Sequence, residues 1–411
     1  MEKQMNIPQL RFPEFVDLWD NDTLDNLTER IGDGLHGTPE YVSKSDIYFI
    51  NGNNLIDGRI QINETTKKVS IETFEQNDKN LNENTLLISI NGTIGSIARY
   101  NSEKVMLGKS VGYFNFKENP DFYYYLLNTS NIQNYFISEL TGSTIKNLSL
   151  KTLRETKVNF PKSPEQAKIS YFLKTVDEKI QALKKKHSLL EHYKKGVMQK
   201  LFSQELRFKD ENGNDFTEWE EKKLGEVGET YGGLSGKTKE NFGIGKPYIQ
   251  YKQIFDDSKI DVSRFELVDI GENENQNKVQ FGDVFFTVSS ETPNEIGMSS
   301  VLLDEIEELY LNSFCFGLRA NSLEELSPYF SQYLFRSEIF RTEIIKLAQG
   351  STRYNMSKIQ LLKIEILLPC LKEQTKIANF LSSIDKKINR TETQIQQTQT
   401  WKKGLLQKMF V

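Results

Sequence analysis

The sequence predicts an α+β protein written twice: two mixed globules, each followed by a long helix, with the two helices packed on one another. Three observations predict it. A segment of 83 residues recurs 208 positions later, each copy ends in a heptad pattern, and short β-rich runs alternate with polar loops upstream. The chain has 411 residues, 37% apolar and 11% aromatic, enough for more than one buried core.

The repeat comes first because it dictates everything else. Residues 120–202 and 328–410 align without a gap and match at 27 of 83 positions. EQAKISYFLKTVDEKI (165–180) faces EQTKIANFLSSIDKKI (373–388), and YKKGVMQKLF (193–202) faces WKKGLLQKMF (401–410). Gly142, Ser143, Thr144, Asn147 and Ser149 recur as Gly350, Ser351, Thr352, Asn355 and Ser357. At an offset of 200, Trp19, Leu24 and Ile60 recur as Trp219, Leu224 and Ile260. Between Ile60 and Pro120 the second copy gains eight residues and the match dissolves. Shared ends and different middles predict one frame carrying two recognition surfaces.

Each copy ends in a predicted helix with an apolar seam. Ile169, Leu173, Val176, Ile180, Leu183, His187, Leu190, Lys194, Val197 and Leu201 alternate spacings of four and three. The second copy places Ile377, Leu381, Ile384, Ile388, Thr391, Ile395, Thr398, Lys402, Leu405 and Met409 in the same register. That period is the seam of a left-handed coiled coil. One such helix alone reads as easily as an amphipathic core helix; two in identical register favour mutual packing. Thirty-eight residues make a helix of roughly 57 Å. The predicted parts are therefore a globule over 1–162, a helix over 163–204, a globule over 205–370 and a helix over 371–411.

Within the globules, TLLISI (85–90), VGYFNF (111–116), DVFFTV (283–288) and IEILLP (364–369) read as strands between loops rich in Asn, Gly, Asp and Ser. Each globule also carries one predicted amphipathic helix, at 121–140 and 329–348.

Charge and composition narrow the function classes. The net charge is −5, yet residues 165–202 carry nine Lys/Arg against four Asp/Glu, and 373–410 carry seven against three. The remainder sums to −14, so any DNA-contacting surface has to be local or completed by a partner. No run of 18 apolar residues occurs, and the first fifteen residues lack an apolar signal core. A soluble, cytoplasmic protein is expected. Cys315 and Cys370 have no CxxC partner and His36, His187 and His192 do not cluster with them, which argues against a disulfide framework and a structural zinc.

Catalytic signatures are near misses. GGLSGKT (232–238) has three residues between Gly232 and Gly236 where a phosphate-binding loop needs four, and it precedes a loop-like stretch. Pro120 and Asp121 with Glu155 and Lys157 imitate a metal-nuclease set. The second copy has Pro328, Tyr329, Lys363 and Glu365 there, so the frame recurs without the acids. NPDF (119–122) lacks the second proline of an amino-methyltransferase motif. The chain is expected to be non-catalytic, with no catalytic residue, metal or cofactor of its own.

Two variable globules, each closed by GST-x-x-N-x-S, EQ-x-KI-x-x-F-L and a heptad tail ending KKG-x-x-QK, resemble the DNA-specificity subunit of Type I restriction–modification systems. The resemblance spans essentially the whole chain in both copies. It implies that each globule is a target-recognition domain reading one half of a split double-stranded DNA site. It further implies that the helices pack as an antiparallel coiled coil and hold the globules apart. Two methyltransferase subunits, which bind S-adenosylmethionine, join the chain, and restriction subunits, which use ATP and Mg, join in complexes that cleave. A coiled-coil adaptor that binds no DNA shares the repeat and the seam and is the competing reading.

On that resemblance the polar loops supply candidate DNA contacts. In the first globule they are His36 and Thr38 beside Gly34 and Gly37; Asn51, Asn53 and Asn54, whose amides suit an adenine edge; and Thr93, Lys109, Ser143, Thr144 and Lys146. In the second they are Ser235, Lys237, Thr238, Tyr251, Lys252, Ser351, Thr352, Arg353 and Tyr354. Asn-Gly pairs also make turns and Ser/Thr after Gly also cap helices, so a purely structural role competes at each position.

Overall fold

The computed structural model describes residues 7–141 and 146–411. The chain divides into two compact units. One runs to Lys184 and takes in Thr393–Val411; the other is Lys185–Glu392. Each unit holds one globule, part of its own long helix and part of the other long helix.

In the first globule, β1 (Thr28–Asp33), β2 (Thr85–Ser89), β3 (Ile97–Arg99) and β4 (Val111–Phe116) form an antiparallel sheet in the order β1-β4-β2-β3. In the second, β5 (Gly228–Gly232), β6 (Val284–Thr287), β7 (Ser299–Val301) and β8 (Cys315–Ala320) repeat it as β5-β8-β6-β7. The sequence runs that predicted β2, β4 and β6 are apolar on both faces because both faces are covered. Leu86, Ile88, Phe114 and Phe116 enter one core, which also holds the helix residues Phe122, Ile169 and Leu173. Leu87, Val111 and Tyr113 enter another beneath the outer strands. The second sheet divides likewise: Val284, Phe286, Phe316 and Leu318 go one way, Phe285 and Cys315 the other.

Two smaller features also recur. A three-stranded sheet pairs Ile47–Ile50 with Lys68–Val69 and, in parallel, with Val105–Leu107. Its counterpart pairs Phe242–Ile249 with Glu266–Val268 and, in parallel, with Tyr310–Leu311. Each globule is closed at its base by an antiparallel ribbon, Asp20–Thr23 with Lys157–Phe160 and Glu220–Lys223 with Glu365–Leu368.

One expectation is corrected. The helices expected at 121–140 and 329–348 are each two: Pro120–Leu127 with Ser130–Ser138, and Pro328–Leu334 with Glu338–Lys346. The Thr129 hydroxyl donates to the Leu126 carbonyl (2.7 Å), and Ser337 accepts from the Phe340 amide, so side chains end one helix and cap the next. Phe122 and Phe330 are fully buried on the first helix of each pair; truncating either to Ala is expected to cost about 3–5 kcal/mol.

The long helices are α1 (Ser163–Phe202) and α2 (Leu371–Met409). In the first unit Ile169, Leu173, Val176 and Ile180 of α1 are buried with Leu405 and Met409 of α2, and Asp177 meets Lys402 at 2.6 Å. In the second unit Val197 and Leu201 of α1 are buried with Ile377, Leu381 and Ile384 of α2, and Lys194 meets Asp385 at 2.6 Å. The two ion pairs are the same pair under the 208-residue repeat. Ile395 is also buried, while Leu183, Leu190 and Ile388 are half-buried. Polar seam positions are accommodated: buried Thr391 and Thr398 donate their hydroxyls to the carbonyls of Lys387 and Gln394, and His187 lies 3.7 Å from Glu392.

The EQ of each repeat anchors the base of its globule. Buried Glu165 takes both nitrogens of a fork from Arg11 (2.7 and 2.7 Å) and the Trp19 indole N–H (3.4 Å). Buried Glu373 takes Arg207 (3.2 and 2.9 Å) and Trp219 (3.1 Å). Gln166 and Gln374 each donate to the carbonyl of the proline five residues earlier. A third element of this frame is too short to stand out in the sequence. Leu10-Arg11-Phe12 recurs as Leu206-Arg207-Phe208, with the Leu10 amide on the Lys408 carbonyl (2.8 Å) and the Leu206 amide on the Lys200 carbonyl (3.0 Å).

Candidate nucleic-acid interface

Five polar segments of the first globule, distant in sequence, are tied together at one edge. The Leu35 amide donates to the Leu107 carbonyl, which brings the 34–38 loop beside the 108–110 turn. The Ser110 hydroxyl donates to Asn51 Oδ1 (2.9 Å) and accepts from the Gly52 amide (2.9 Å). The Thr93 hydroxyl donates to the Gly52 carbonyl (3.1 Å), and Asn91 bridges to Asn147. His36, Thr38, Asn53, Thr93, Lys109 and Lys146 are exposed on these segments. His36 Nε2 lies 2.7 Å from Asp33. Asn54 is occupied at both ends of its amide, by the Asn51 amide and the Gln61 carbonyl. It holds the turn, and Asn51 lends it one oxygen. Ser143 and Thr144 lie outside the described residues.

The second globule divides its candidates. Tyr251, Lys252 and Arg353 line one cleft of about 390 Å³, together with Phe255, Ser289, Ser290, Glu291 and Glu295. The Tyr251 hydroxyl donates to the Ser289 carbonyl (2.7 Å), and its ring stacks on Phe255. Burial raises the Tyr251 phenol above its ordinary range, so it stays a neutral donor. Lys252 is exposed and reaches Asp256 at 2.9 Å. Strand Tyr354–Asn355 pairs with Ser289–Ser290, which carries exposed Ser351, Thr352 and Arg353 to the cleft mouth.

Ser235, Lys237 and Thr238 belong to a different network. Lys237 is nearly buried between Glu274 (2.5 Å) and the Asp269 carbonyl (2.5 Å). That lysine and a hydrogen bond from Gln276 pull the Glu274 carboxyl down to about 2. Gln276 also accepts from the Ser235 amide (3.1 Å), and Thr238 donates to Glu240 (2.5 Å). The GGLSGKT stretch is thus a braced turn whose lysine is already spent on a carboxylate. Ser110, Ser289, Ser290, Glu291 and Glu295 are members of these surfaces that sequence reading missed. They lie in the stretch where the two copies no longer match, so the repeat gave no signal for them.

A larger cavity of about 990 Å³ in the first unit is lined by Arg99, Asp121, Asp57, Lys184, Asp177 and Lys402. Its charges neutralise one another: Arg99 with Asp121, Lys184 with Asp57, Lys402 with Asp177. Asp121, the apparent nuclease acid, is taken by an arginine. Among the described residues no group of three or more His, Cys, Asp or Glu side chains is placed to hold a metal, and no helix is long and apolar enough to cross a membrane.

A family model for the Type I restriction modification DNA specificity domain matches residues 40–192 and again 217–399. The chain belongs to that family. The two matches cover most of each globule and most of each long helix, so the family's domain is present twice. The MjaVIII specificity subunit of a Type I restriction enzyme from Methanocaldococcus jannaschii is 26% identical over 289 residues, which is 67% of this chain and 66% of that protein. The MjaIX specificity subunit of the same organism is 26% identical over 155 residues, 35% of this chain and 36% of that protein. The chain thus spans just under two thirds of the first relative and about a third of the second. In fold it is similar to the crystal structure of a Type I restriction–modification S subunit from M. genitalium, with a TM-score of 0.57, 18% identity, and 98% and 99% of the two chains covered. It is also similar to a chain solved for the assembly and conformational transition of a type I R-M system, with a TM-score of 0.59, 16% identity, and 95% and 97% covered.

Proposed function

We propose that this chain is the DNA-specificity subunit of a Type I restriction–modification complex, reading a split duplex target with its two globules. One observation carries the reading: two globules of the same topology present different chemistry at corresponding loops. The first edge offers His36, Thr38, Asn51, Asn53, Thr93, Lys109 and Lys146. The second offers Tyr251, Lys252, Glu291, Glu295, Ser351, Thr352, Arg353 and Tyr354. Amides suit adenine, whereas Arg with Glu suits a G·C pair, so the half-sites differ. Residues 1–162 and 205–370 are the readers, and the helices of 163–204 and 371–411 are an antiparallel coiled-coil spacer. The repeated Asp177 and Lys402, Asp385 and Lys194 contacts support that pairing.

Two methyltransferase subunits complete the modification complex and carry S-adenosylmethionine; restriction subunits carry ATP and Mg. The complex works in the cytoplasm, where the DNA is. The globules' acidity makes the isolated chain a poor DNA binder, because phosphates are drawn only by local cations until a partner adds its own surface. The test is retention of target duplex by the chain with and without methyltransferase across a salt series. Specific, salt-sensitive binding by the assembled complex supports the reading. A complex that binds no DNA at low salt would make the chain an adaptor.

A further inference from the structure

The cleft of the second globule has two walls. Helix Tyr251–Asp256 carries Tyr251, Lys252 and Phe255, and the stretch from Ser289 to the turn Pro293–Glu295 carries Glu291 and Glu295. Both walls lie upstream of Pro328, outside the 83-residue segment that recurs. Each is nevertheless fastened by an arginine of that segment. Arg336, between helices Pro328–Leu334 and Glu338–Lys346, donates through Nη2 to the carbonyls of Ile254 (2.8 Å), Phe255 (3.1 Å) and Asp257 (2.9 Å). Its Nε donates to the Ser299 carbonyl (2.6 Å). One guanidinium thus gathers the last carbonyls of the helix that bears Tyr251 and Lys252 and joins them to β7. A cation there also suits the negative end of the helix. Arg341 donates through Nη1 to the Gly297 carbonyl (2.8 Å) and through Nη2 to the Asn294 carbonyl (2.9 Å), spanning the turn that carries Glu295.

The first copy shows what the frame requires by itself. At the position of Arg341 stands Gln133, whose amide donates to the carbonyl of Gly95 (3.1 Å), the counterpart of Gly297. At the position of Arg336 stands Asn128, whose amide donates one turn back to the Tyr124 carbonyl (2.7 Å). The bond to the glycine carbonyl therefore belongs to the frame. The bonds to residues 254, 255, 257 and 294 belong to the second copy and to the walls of its cleft. They are also costly to make. Burial, and for Arg336 the charge of Arg341 as well, lowers both guanidiniums to about 10, so both remain cations at neutral pH, bonded to uncharged carbonyls.

We propose that Arg336 and Arg341 are positioning residues of the second reader, holding the two walls of its cleft in the one arrangement that fits its half-site. They act through Tyr251, Lys252 and Glu295 rather than on DNA. Arg336 fixes the helix that bears the tyrosine and the lysine, and Arg341 fixes the turn that bears the glutamate. Base edges are told apart by donors and acceptors held in place, so a loosened wall relaxes discrimination before it abolishes binding. The first reader has no such dependence on these positions, since Asn128 spends its amide within its own segment. This rests on the reading that the cleft contacts DNA.

The experiment uses the full chain assembled with the methyltransferase subunit of its own system. Methylation rates are measured on the duplex target of the wild-type complex and on duplexes with one base changed in either half. The half read by the second globule is the one that survives exchange of residues 33–118. Arg341→Gln keeps a bond to Gly297, as Gln133 does to Gly95, and loses the one to Asn294. It is expected to leave the melting temperature nearly unchanged while discrimination against wrong bases in that half falls about tenfold and discrimination in the other half is kept. Arg336→Gln is expected to relax the same half further, with KM for the target rising more than kcat falls, and Arg336→Lys to recover part of the loss. If Arg336→Gln does not fold, Arg341→Gln decides alone. Discrimination unchanged in Arg341→Gln, or lost equally in both halves, would overturn this inference and leave the arginines a purely structural task. A wild-type complex indifferent to base changes in that half would overturn the reading of the cleft, and this inference with it.

Discussion

The Tyr125 hydroxyl donates to Asp177 at 2.9 Å, tying the first globule to the helix that follows it. Lys402 closes on the other oxygen of the same carboxylate at 2.6 Å. The second copy repeats this with Tyr333, Asp385 and Lys194 at 2.8 and 2.6 Å. One carboxylate therefore joins a globule, its own helix and the opposite helix. Removing it strands a buried phenol and a half-buried ammonium together.

Asp177→Ala is accordingly expected to destabilise the first unit by about 2 kcal/mol, and Tyr125→Phe by about 1 kcal/mol. Asp385→Ala and Tyr333→Phe should do the same to the second. Denaturant titration reads both effects. A loss under about 0.3 kcal/mol for both aspartates would show the clamp to be incidental.

Glu165 is 2% exposed, and its carboxylate is held by the Arg11 fork. Arg11→Met leaves a buried carboxylate with only a long bond from Trp19, at an expected cost of about 3 kcal/mol. Adding Glu165→Met should recover most of that, because the pair is then replaced by apolar volume. A double-mutant cycle reads the coupling, and additive single effects would contradict it.

Glu274 gives a pH dependence with a defined sign. Its folded value, about 2, lies below the ordinary 4.5, so its contact with Lys237 is fully stabilising above about pH 4.5 and is lost as pH falls through about 2. Amide protection in 233–241 and 271–276, corrected for the intrinsic pH dependence of exchange, should fall across that window in the wild-type chain. In Lys237→Met the same amides should exchange faster already at pH 6. Equal protection at pH 5 and pH 2 would exclude the contact.

The helices can be lengthened without losing register. One heptad added to α1 and another 208 residues later in α2 keeps both apolar seams and extends each helix by roughly 10 Å. The gap between half-sites is expected to grow while both half-site sequences stay fixed. Lengthening adds translation without DNA's rotation, so tighter binding is not expected. An unchanged gap with intact activity would mean that the separation is set elsewhere.

Much of this was legible in the sequence, for physical reasons that differ by element. The strands at 85–90, 111–116 and 283–288 were legible because burial on both faces demands continuous apolar runs. The seams were legible at Ile169, Leu173, Ile377 and Leu381, where the heptad is unbroken. The helix breaks at Thr129 and Ser337 were hidden, since the apolar period runs on through a capping hydroxyl. The Leu10-Arg11-Phe12 repeat was hidden by its shortness and its offset of 196 against the tail's 208. Asn54 and Lys237 show why contact residues are hardest to read. The amides and cations that suit DNA also brace turns, and only geometry tells which task each performs.

Two independent readers on one frame make a prediction that methylation itself can record. Methylated adenines are mapped in cells carrying this chain with its methyltransferase, and again after residues 33–118 are exchanged for those of a subunit of another specificity. The first map is expected to show a two-part site, and the second a change in one half-site alone, with the other half and the gap preserved. A change in both half-sites, or an undivided site, would contradict it.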